Sequence, residues 1–140
     1  LMSRPDNGEL TSKVRLELGN TMRETLAVFR DQEGMESALV KIKELQDRYS
    51  RLPLLHHGKV YNTDLLFHLE LGYMLDVAET IAVGGLARTE SRGAHFRRDM
   101  PERDDANWLT QTLENASASG PEVDYLPVAI TKWEPQARVY

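Results

Sequence analysis

The chain has 140 residues, of which 41% are hydrophobic and 28% charged, and its formal net charge is -5. These values are typical of one globular domain, and the acidic balance gives no electrostatic case for binding nucleic acid or an anionic membrane surface. The absence of cysteine excludes a disulfide framework, a thiolate-held iron–sulfur cluster and a Cys-ligated zinc site.

The N-terminus reads Leu-Met-Ser-Arg-Pro-Asp and lacks the basic, apolar and cleavage regions of a signal peptide. Because the sequence starts at Leu1 rather than at methionine, we interpret it as part of a longer protein. No apolar run approaches the ~20 residues that a membrane-spanning helix needs.

The first predicted helix runs from Thr11 or Ser12 to Phe29. Apolar residues recur every three to four positions over this stretch, which predicts an amphipathic helix. Thr11 or Ser12 is the expected N-cap, because a hydroxyl oxygen there accepts from the first free backbone N–H groups. The predicted core side of this helix comprises Val14, Leu18, Met22, Leu26 and Phe29.

Two further helices follow the same periodicity. The second begins after Asp31–Gly34 and runs to about Arg51, before Pro53, which cannot continue a helix. Its apolar face comprises Met35, Leu39, Ile42, Leu45 and Tyr49.

The third helix starts at Asn62 or Thr63 and continues to about Arg88. Its apolar residues cover a broad arc, so we expect it to be the most buried of the three. Gly84-Gly85 near its end indicates either a frayed or kinked end or the close approach of another backbone. The arc comprises Leu65, Leu66, Leu69, Tyr73, Leu75, Val77, Ile81 and Val83.

The fold class expected from this pattern is mainly α: a three-helix up-down-up bundle over residues 11–88, because three amphipathic helices bury their apolar faces together. Residues 89–107 form an irregular charged segment. Residues 108–140 form a small antiparallel β ribbon and a tail, with strands at Trp108–Leu113 and Val123–Lys132 and a loop at Glu114–Glu122.

Several residues that could carry chemistry have simpler interpretations. His56-His57 is better explained as an exposed turn than as a metal site, because no carboxylate stands at a ligand spacing beside it. His68 and Asp64 are four apart on the third helix, a spacing that favours a stabilising pair rather than catalysis. No G-x-G-x-x-G dinucleotide fingerprint or G-x-S-x-G nucleophile motif occurs.

The charged segment carries the most specific motif. Glu90-Ser91-Arg92-Gly93-Ala94-His95 is followed by Arg98-Asp99, Pro101 and the run Glu102 to Leu109. This pattern closely resembles a signature of the flavoprotein subunits of succinate dehydrogenase and fumarate reductase. The resemblance extends upstream over Arg15 to Tyr49, and downstream over Val128 to Trp133 and Arg138 to Tyr140.

The resemblance implies that the sequence is the C-terminal domain of an FAD enzyme that interconverts succinate and fumarate. It implies three partners: the FAD-binding domain of the same chain, an iron–sulfur subunit and, indirectly, membrane-anchor subunits. It also implies a location at the cytoplasmic face of the inner membrane. The flavin-carrying and catalytic residues of the family lie in domains N-terminal to this one. We therefore expect no catalysis, no bound cofactor and no metal site here.

The residues alone do not determine the role of the charged segment. It could dock on the FAD-binding domain, its arginines and carboxylates could pair among themselves and tie the ribbon to the bundle, or it could contact flavin or substrate directly. We take docking as the working hypothesis. The residues assigned to it are Glu90, Arg92, Gly93, His95, Arg98 and Asp99.

Two other identities compete with this assignment. The C-terminal domain of L-aspartate oxidase carries a related Glu-Ser-Arg-Gly stretch, but the continuation Glu102 to Asp105 and the long tail ending in Tyr140 favour the dehydrogenase. An independent three-helix adaptor that binds a partner helix is the alternative from a different class. Such an adaptor would have no reason to carry the dense charged segment.

Overall fold

A computed structural model describes residues 8–136 of the chain, so the predicted terminal match at Arg138 to Tyr140 lies outside the described residues. The architecture is mainly α with a small antiparallel ribbon, as predicted. The elements in chain order are α1 (Thr11–Thr25), β1 (Phe29–Arg30), α2 (Gln32–Arg51), α3 (Thr63–Ala87), β2 (Phe96–Arg97), α4 (Asp105–Trp108), β3 (Thr110–Ser117) and β4 (Gly120–Pro127).

The three long helices pack on one another around one hydrophobic core. Each contributes a stripe of buried residues at helical spacing, as the sequence predicts. Side chains of this kind stabilise a fold by roughly 1.5–3 kcal/mol each when fully buried. The core includes Val14 and Leu18 from α1, Met35, Ile42 and Leu45 from α2, and Leu71, Leu75, Ala78 and Ala82 from α3.

The predicted start of α1 at Thr11 is confirmed, but its predicted N-cap and its predicted C-terminal end are wrong. Its N-cap is Leu10, and no side chain caps it. The helix ends at Thr25 rather than Phe29, because β1 pairs in parallel with β2, which lies within the charged segment. The Phe96 N–H donates to the Val28 carbonyl over 3.1 Å. The Phe29 and Phe96 rings meet edge to face, with centroids 5.5 Å apart. Tertiary pairing therefore overrides the helical pattern.

The starts of α2 and α3 are set by side-chain caps. The Asp31 carboxylate accepts from the Gly34 N–H over 2.9 Å, so α2 begins at Gln32, inside the predicted linker. The Asn62 side chain accepts from the Leu65 N–H over 2.9 Å, which confirms the predicted start of α3.

α3 has more buried residues than α1 or α2, but much of its predicted apolar arc is exposed to solvent. Among the exposed members, Tyr73 is 69% and Val77 56% accessible. Gly84-Gly85 remains helical. The close approach there comes from side chains rather than backbone, since Glu114 lies over Gly84 and Met35 over Gly85.

The ribbon forms as predicted, but its strand boundaries differ. β3 and β4 pair antiparallel from Thr110 opposite Pro127 to Ser117 opposite Gly120. Most of the predicted Glu114–Glu122 loop therefore lies in strands. A tight turn is possible because Gly120 adopts a φ of 116° and its carbonyl accepts from the Ser117 hydroxyl over 2.8 Å. In the part of the chain that the structure describes, no helix is long and apolar enough to cross a membrane.

Candidate functional site

The charged segment, residues 89–107, is folded by two tight turns after α3. In the first turn, Arg92 and His95 exchange backbone hydrogen bonds of 2.8 and 3.0 Å. Gly93 lies at the tip of this turn with a φ of 60°, a conformation that a residue without a Cβ adopts at little cost. In the second turn, the Met100 N–H donates to the Arg97 carbonyl over 3.1 Å. The segment therefore has a defined backbone although little of it is helix or strand.

Glu90 is the centre of an arginine–carboxylate network. Its side chain is fully buried, and it receives hydrogen bonds from Arg88, from Arg92 over 2.8 and 3.0 Å, and from the Asp104 N–H over 2.8 Å. Burial by itself would raise the pKa of this carboxyl, but the bonds from Arg92, Asp104 and Arg88 outweigh it and leave the pKa below its usual value. Glu90 is therefore an ionised, fully paired group inside the fold.

The network extends from Glu90 to the end of the described chain. Arg92 also donates to Asp105 over 2.7 Å, and Arg103 donates to the same carboxylate over 2.9 Å. Hydrogen bonds from Arg103 and Arg92 lower the pKa of Asp105 to about 2. Arg103 further donates to the Gln136 carbonyl over 2.8 Å. The last described residues are thus attached to the charged segment.

Arg97 is a second buried charge, with only 1% of its side chain accessible. Its guanidinium binds Asp99 through two bonds of 3.1 and 2.6 Å, and donates to the Leu86 and Arg88 carbonyls over 3.2 Å. Those carbonyls lie at the C-terminal end of α3, where a positive charge is favourable. The Arg97 pairing lowers the pKa of Asp99, and Asp99 also accepts from the Gln32 N–H at the start of α2 over 3.2 Å.

His95 is held as a neutral imidazole between Arg30 of β1 and the C-terminal end of α3. Its Nδ1 lies 3.3 Å from a guanidinium nitrogen of Arg30, and its Nε2 lies 3.3 Å from the Arg88 carbonyl. A guanidinium can only donate, so Nδ1 accepts and the proton lies on Nε2. Burial, followed by the positive charges of Arg30, Arg97 and Arg88, lowers the pKa of His95.

Arg88 joins the bundle to the ribbon. Its guanidinium, besides pairing with Glu90, donates to the carbonyls of Trp108 and Thr110 at the start of the ribbon. It also lies 5.1 Å from the centroid of the Trp108 ring. The internal pairing that the sequence left as an alternative is therefore present in the fold.

The six residues assigned to docking divide into two groups. Glu90 is buried, and Arg92 and His95 are partly buried within the network. Gly93, Arg98 and Asp99 are exposed, together with Ala94 at the tip of the first turn. The Arg98 guanidinium lies 5.6 Å from the centroid of the Phe29 ring. We use the name exposed turn for the surface formed by Gly93, Ala94 and Arg98.

Sequence reasoning missed the buried residues that shape the segment. Ser91 accepts from the Arg97 N–H over 2.8 Å and donates to the Met100 carbonyl over 2.7 Å, so it fixes both turns. The only signal in the sequence was the alternation of arginines and carboxylates at short spacing. This alternation indicates pairing but does not show which charges are buried.

The other residues considered for catalysis or metal binding have structural roles or are assigned no role. His56 and His57 are exposed, as predicted, in the connection between α2 and α3. The His68 ring is buried and lies 4.7 Å from the Tyr49 ring. Asp64 accepts from the backbone N–H groups of Leu55 and His56. Among residues 8–136 there is no group of three or more His, Asp or Glu side chains that could hold a metal ion.

The fold and the network together define a mainly α domain in which charged side chains hold the bundle, the segment and the ribbon together. Residues 15–140 match the family described as the C-terminal part of fumarate reductase flavoproteins. The chain belongs to this family.

Individual relatives agree with the family match. The chain is 45% identical to the fumarate reductase flavoprotein subunit of Haemophilus influenzae over 140 residues, which cover 99% of this chain and 23% of that protein. It is 37% identical to the succinate dehydrogenase flavoprotein subunit of Rickettsia conorii, over 87% of this chain and 21% of the relative. A structure of a variant of Escherichia coli quinol fumarate reductase superposes with a TM-score of 0.89 at 41% identity, over 98% of this chain and 24% of that one.

These comparisons confirm the predicted resemblance and do not favour L-aspartate oxidase or an independent adaptor. The chain spans about a quarter of the length of the relatives it matches. Residues 8–136 also do not fit a dinucleotide cofactor: the long strands form an antiparallel ribbon, and no glycine loop joins a strand to a helix N-terminus.

Proposed function

We propose that this chain is the C-terminal domain of an FAD-containing subunit that interconverts fumarate and succinate. The match of residues 15–140 to the flavoprotein family carries this proposal. Reduction of fumarate to succinate takes up two electrons and two protons. FAD would be held by the rest of the polypeptide, since the residues described here do not form a flavin site.

The parent subunit would exchange electrons with an iron–sulfur subunit and a quinone, and would be attached to a membrane through anchor subunits. The support is that the relatives are described as flavoprotein subunits and that one similar structure is a quinol fumarate reductase. In this assembly the 140-residue chain has a supporting role and performs no chemistry itself.

The proposed contact with the FAD-binding domain is made by the exposed turn. Glu90, Arg92 and His95 hold this turn rigid from inside, and Gly93 and Arg98 present it to the neighbouring domain. A preorganised turn loses little conformational entropy when it binds. Arg98 has no carboxylate partner among the ion pairs of the described residues, so its guanidinium can bind a carboxylate or carbonyl group of the neighbour.

The parent activity is tested on the complete gene product, purified with its partner subunits. We expect bound FAD and fumarate-dependent oxidation of a reduced low-potential dye. A complete protein that lacks FAD, or that contains FAD but acts on aspartate and not on succinate or fumarate, would contradict the proposed function.

Docking is tested by reversing the charge of Arg98 in the complete flavoprotein subunit. Removing one partner from a buried, hydrogen-bonded charge pair typically costs about 2–5 kcal/mol. We therefore expect Arg98→Glu to lower the thermal midpoint and the retained FAD. The matched control is Arg51→Glu on α2, where the side chain is 65% accessible and pairs with Asp47. Equal midpoints for the two variants would rule out the exposed turn as a docking contact.

A further inference from the structure

α3 has an apolar face on each of two opposite sides. One side holds the core residues Leu71, Leu75, Ala78 and Ala82. On the other side, apolar residues again recur three or four apart but are exposed, with Leu66 52%, Tyr73 69% and Val77 56% accessible. We name this second face the outer stripe. It comprises Leu66, Leu69, Tyr73, Val77 and Ile81.

The outer stripe borders a groove between α1 and α3. Side chains of Met22, Tyr73, Val77 and Ile81 line this groove, and its volume is about 420 Å³. Gly19 of α1 lines it too, and a Cβ added there would have no neighbouring atom within 4 Å. The groove has space for side chains that the described residues of this chain do not supply.

A helix with apolar faces on two opposite sides is normally buried on both of them. Single exposed apolar residues need no explanation, and Val40 on α2, at 74% accessible, is one of them. The outer stripe differs because five such residues adjoin one another and continue into a groove. Contiguous apolar surface of this kind marks an interface.

The charges of α3 argue against a second copy of the same chain as the occupant. Every charged residue of this helix is a carboxylate, and it has no lysine or arginine. A symmetric dimer through the outer stripe would bring together the two copies of Asp76, which is exposed beside Val77. Glu79, in contrast, is buried against Lys43, and Glu70 pairs with Arg15. The carboxylates are Asp64, Glu70, Asp76 and Glu79.

The length of the relatives indicates a different occupant. This chain corresponds to 23% of the Haemophilus influenzae flavoprotein subunit, so about three-quarters of such a protein lies elsewhere in the same polypeptide. A covalently linked neighbour is present at a high effective concentration. It can cover an apolar face permanently, so that the face is never exposed to solvent in the complete protein.

We propose that the outer stripe and its groove are covered by the remainder of the same flavoprotein polypeptide. The surface that covers them is apolar at its centre and carries lysine or arginine near the exposed Asp76. This inference rests on the proposed function, because it requires the chain to be one domain of a longer subunit. It adds a second contact, distinct from the exposed turn.

The test compares two cysteine variants of the complete flavoprotein subunit, Val77→Cys in the outer stripe and Val40→Cys on α2. Each folded protein is treated with a maleimide, and the label at the introduced cysteine is located by peptide mass spectrometry. We expect position 77 to react at least about tenfold more slowly than position 40, because a buried site reacts only on local opening. Both positions should react equally fast after denaturation.

The subunit is labelled alone, with its partner subunits, and over a range of concentrations. Equal rates at positions 77 and 40 in the folded protein would overturn the inference. Protection that appears only with the partner subunits would assign the stripe to another subunit and would also overturn it. Protection that grows with concentration would indicate a second copy instead. FAD content, measured in the same samples, tests the proposed function separately: a protected position 77 in a flavin-free protein would contradict that function alone.

Discussion

The charged segment and the outer stripe of α3 differ in which side chains they bury and which they expose. In the charged segment, Glu90 and Arg97 are buried and fully paired. In the outer stripe, Tyr73 and Val77 are exposed although their surroundings are apolar. The polarity of the side chains therefore does not show which surface of this domain is exposed to solvent. The charged side chains stabilise the fold from within, whereas the outer stripe remains available for another surface to cover.

The largest expected effect comes from removing Glu90. Glu90→Ala leaves Arg88 and Arg92 without their shared carboxylate inside the fold, which typically costs about 3–5 kcal/mol. Chemical denaturation of the 140-residue chain measures the change. Glu102→Ala is the matched control, because Glu102 lies in the same segment but is exposed. Equal losses for the two variants would mean that the network does not hold the fold.

The next prediction concerns pH and His95. Because its pKa is lowered in the folded state, the unfolded chain takes up a proton first, near its usual pKa of about 6.5. The stability that depends on the neutral imidazole is therefore present above about pH 6.5 and is lost as the pH falls below that value. The variant His95→Gln removes the titration. Thermal midpoints from pH 8 to 5 should fall less for this variant than for the wild type.

The control for this pH dependence is His56→Gln, since His56 lies exposed in the connection before α3. It should follow the wild-type profile. A wild-type profile for His95→Gln as well would show that the imidazole is not held neutral between Arg30 and the end of α3.

A smaller effect of opposite sign is expected at the groove. Gly19→Ala places a methyl group in open space within α1, so the 140-residue chain should gain about 0.5–1 kcal/mol. Gly72→Ala is the contrasting variant, because its Cβ would lie 2.6 Å from the Tyr49 hydroxyl and should destabilise the chain. In the complete subunit the gain at Gly19 should shrink or reverse. An unchanged gain there would indicate that the groove stays empty.

The smallest effect is expected at the exposed turn. Arg98→Ala removes a guanidinium 5.6 Å from the Phe29 ring, worth about 0.5 kcal/mol at an exposed site. Denaturation of the 140-residue chain should therefore barely change. A loss of several kcal/mol would show that Arg98 belongs to the internal network and is not available for docking.

The sequence predicted the helices well because each has a periodic core stripe and two have recognisable caps at Asp31 and Asn62. It failed where distant segments decide the local structure. Phe29 continues the helical pattern, yet its pairing with Phe96 places it in a strand. The ribbon loop was predicted too long, because small polar residues from Glu114 to Glu122 suit strands once a partner strand lies beside them.

The candidate site was predicted in part. The motif located the charged segment correctly, but it could not separate Glu90, which is buried, from Arg98, which is exposed. That distinction depends on where α3 ends and on the carbonyls that Arg97 binds there. Likewise, the sequence predicts the whole apolar arc of α3 as core, because a single sequence does not show which of two apolar faces meets the other helices.

The most direct test of this account is to place an aspartate in the outer stripe and on α2, in both the 140-residue chain and the complete subunit. In the 140-residue chain, Val77→Asp and Val40→Asp should each change the free energy of unfolding by no more than about 0.5 kcal/mol, since both sites are exposed. In the complete subunit, Val77→Asp should lower the thermal midpoint strongly and Val40→Asp should not. Equal midpoints for the two variants in the complete subunit, or unfolding of the 140-residue chain by Val77→Asp, would contradict the account.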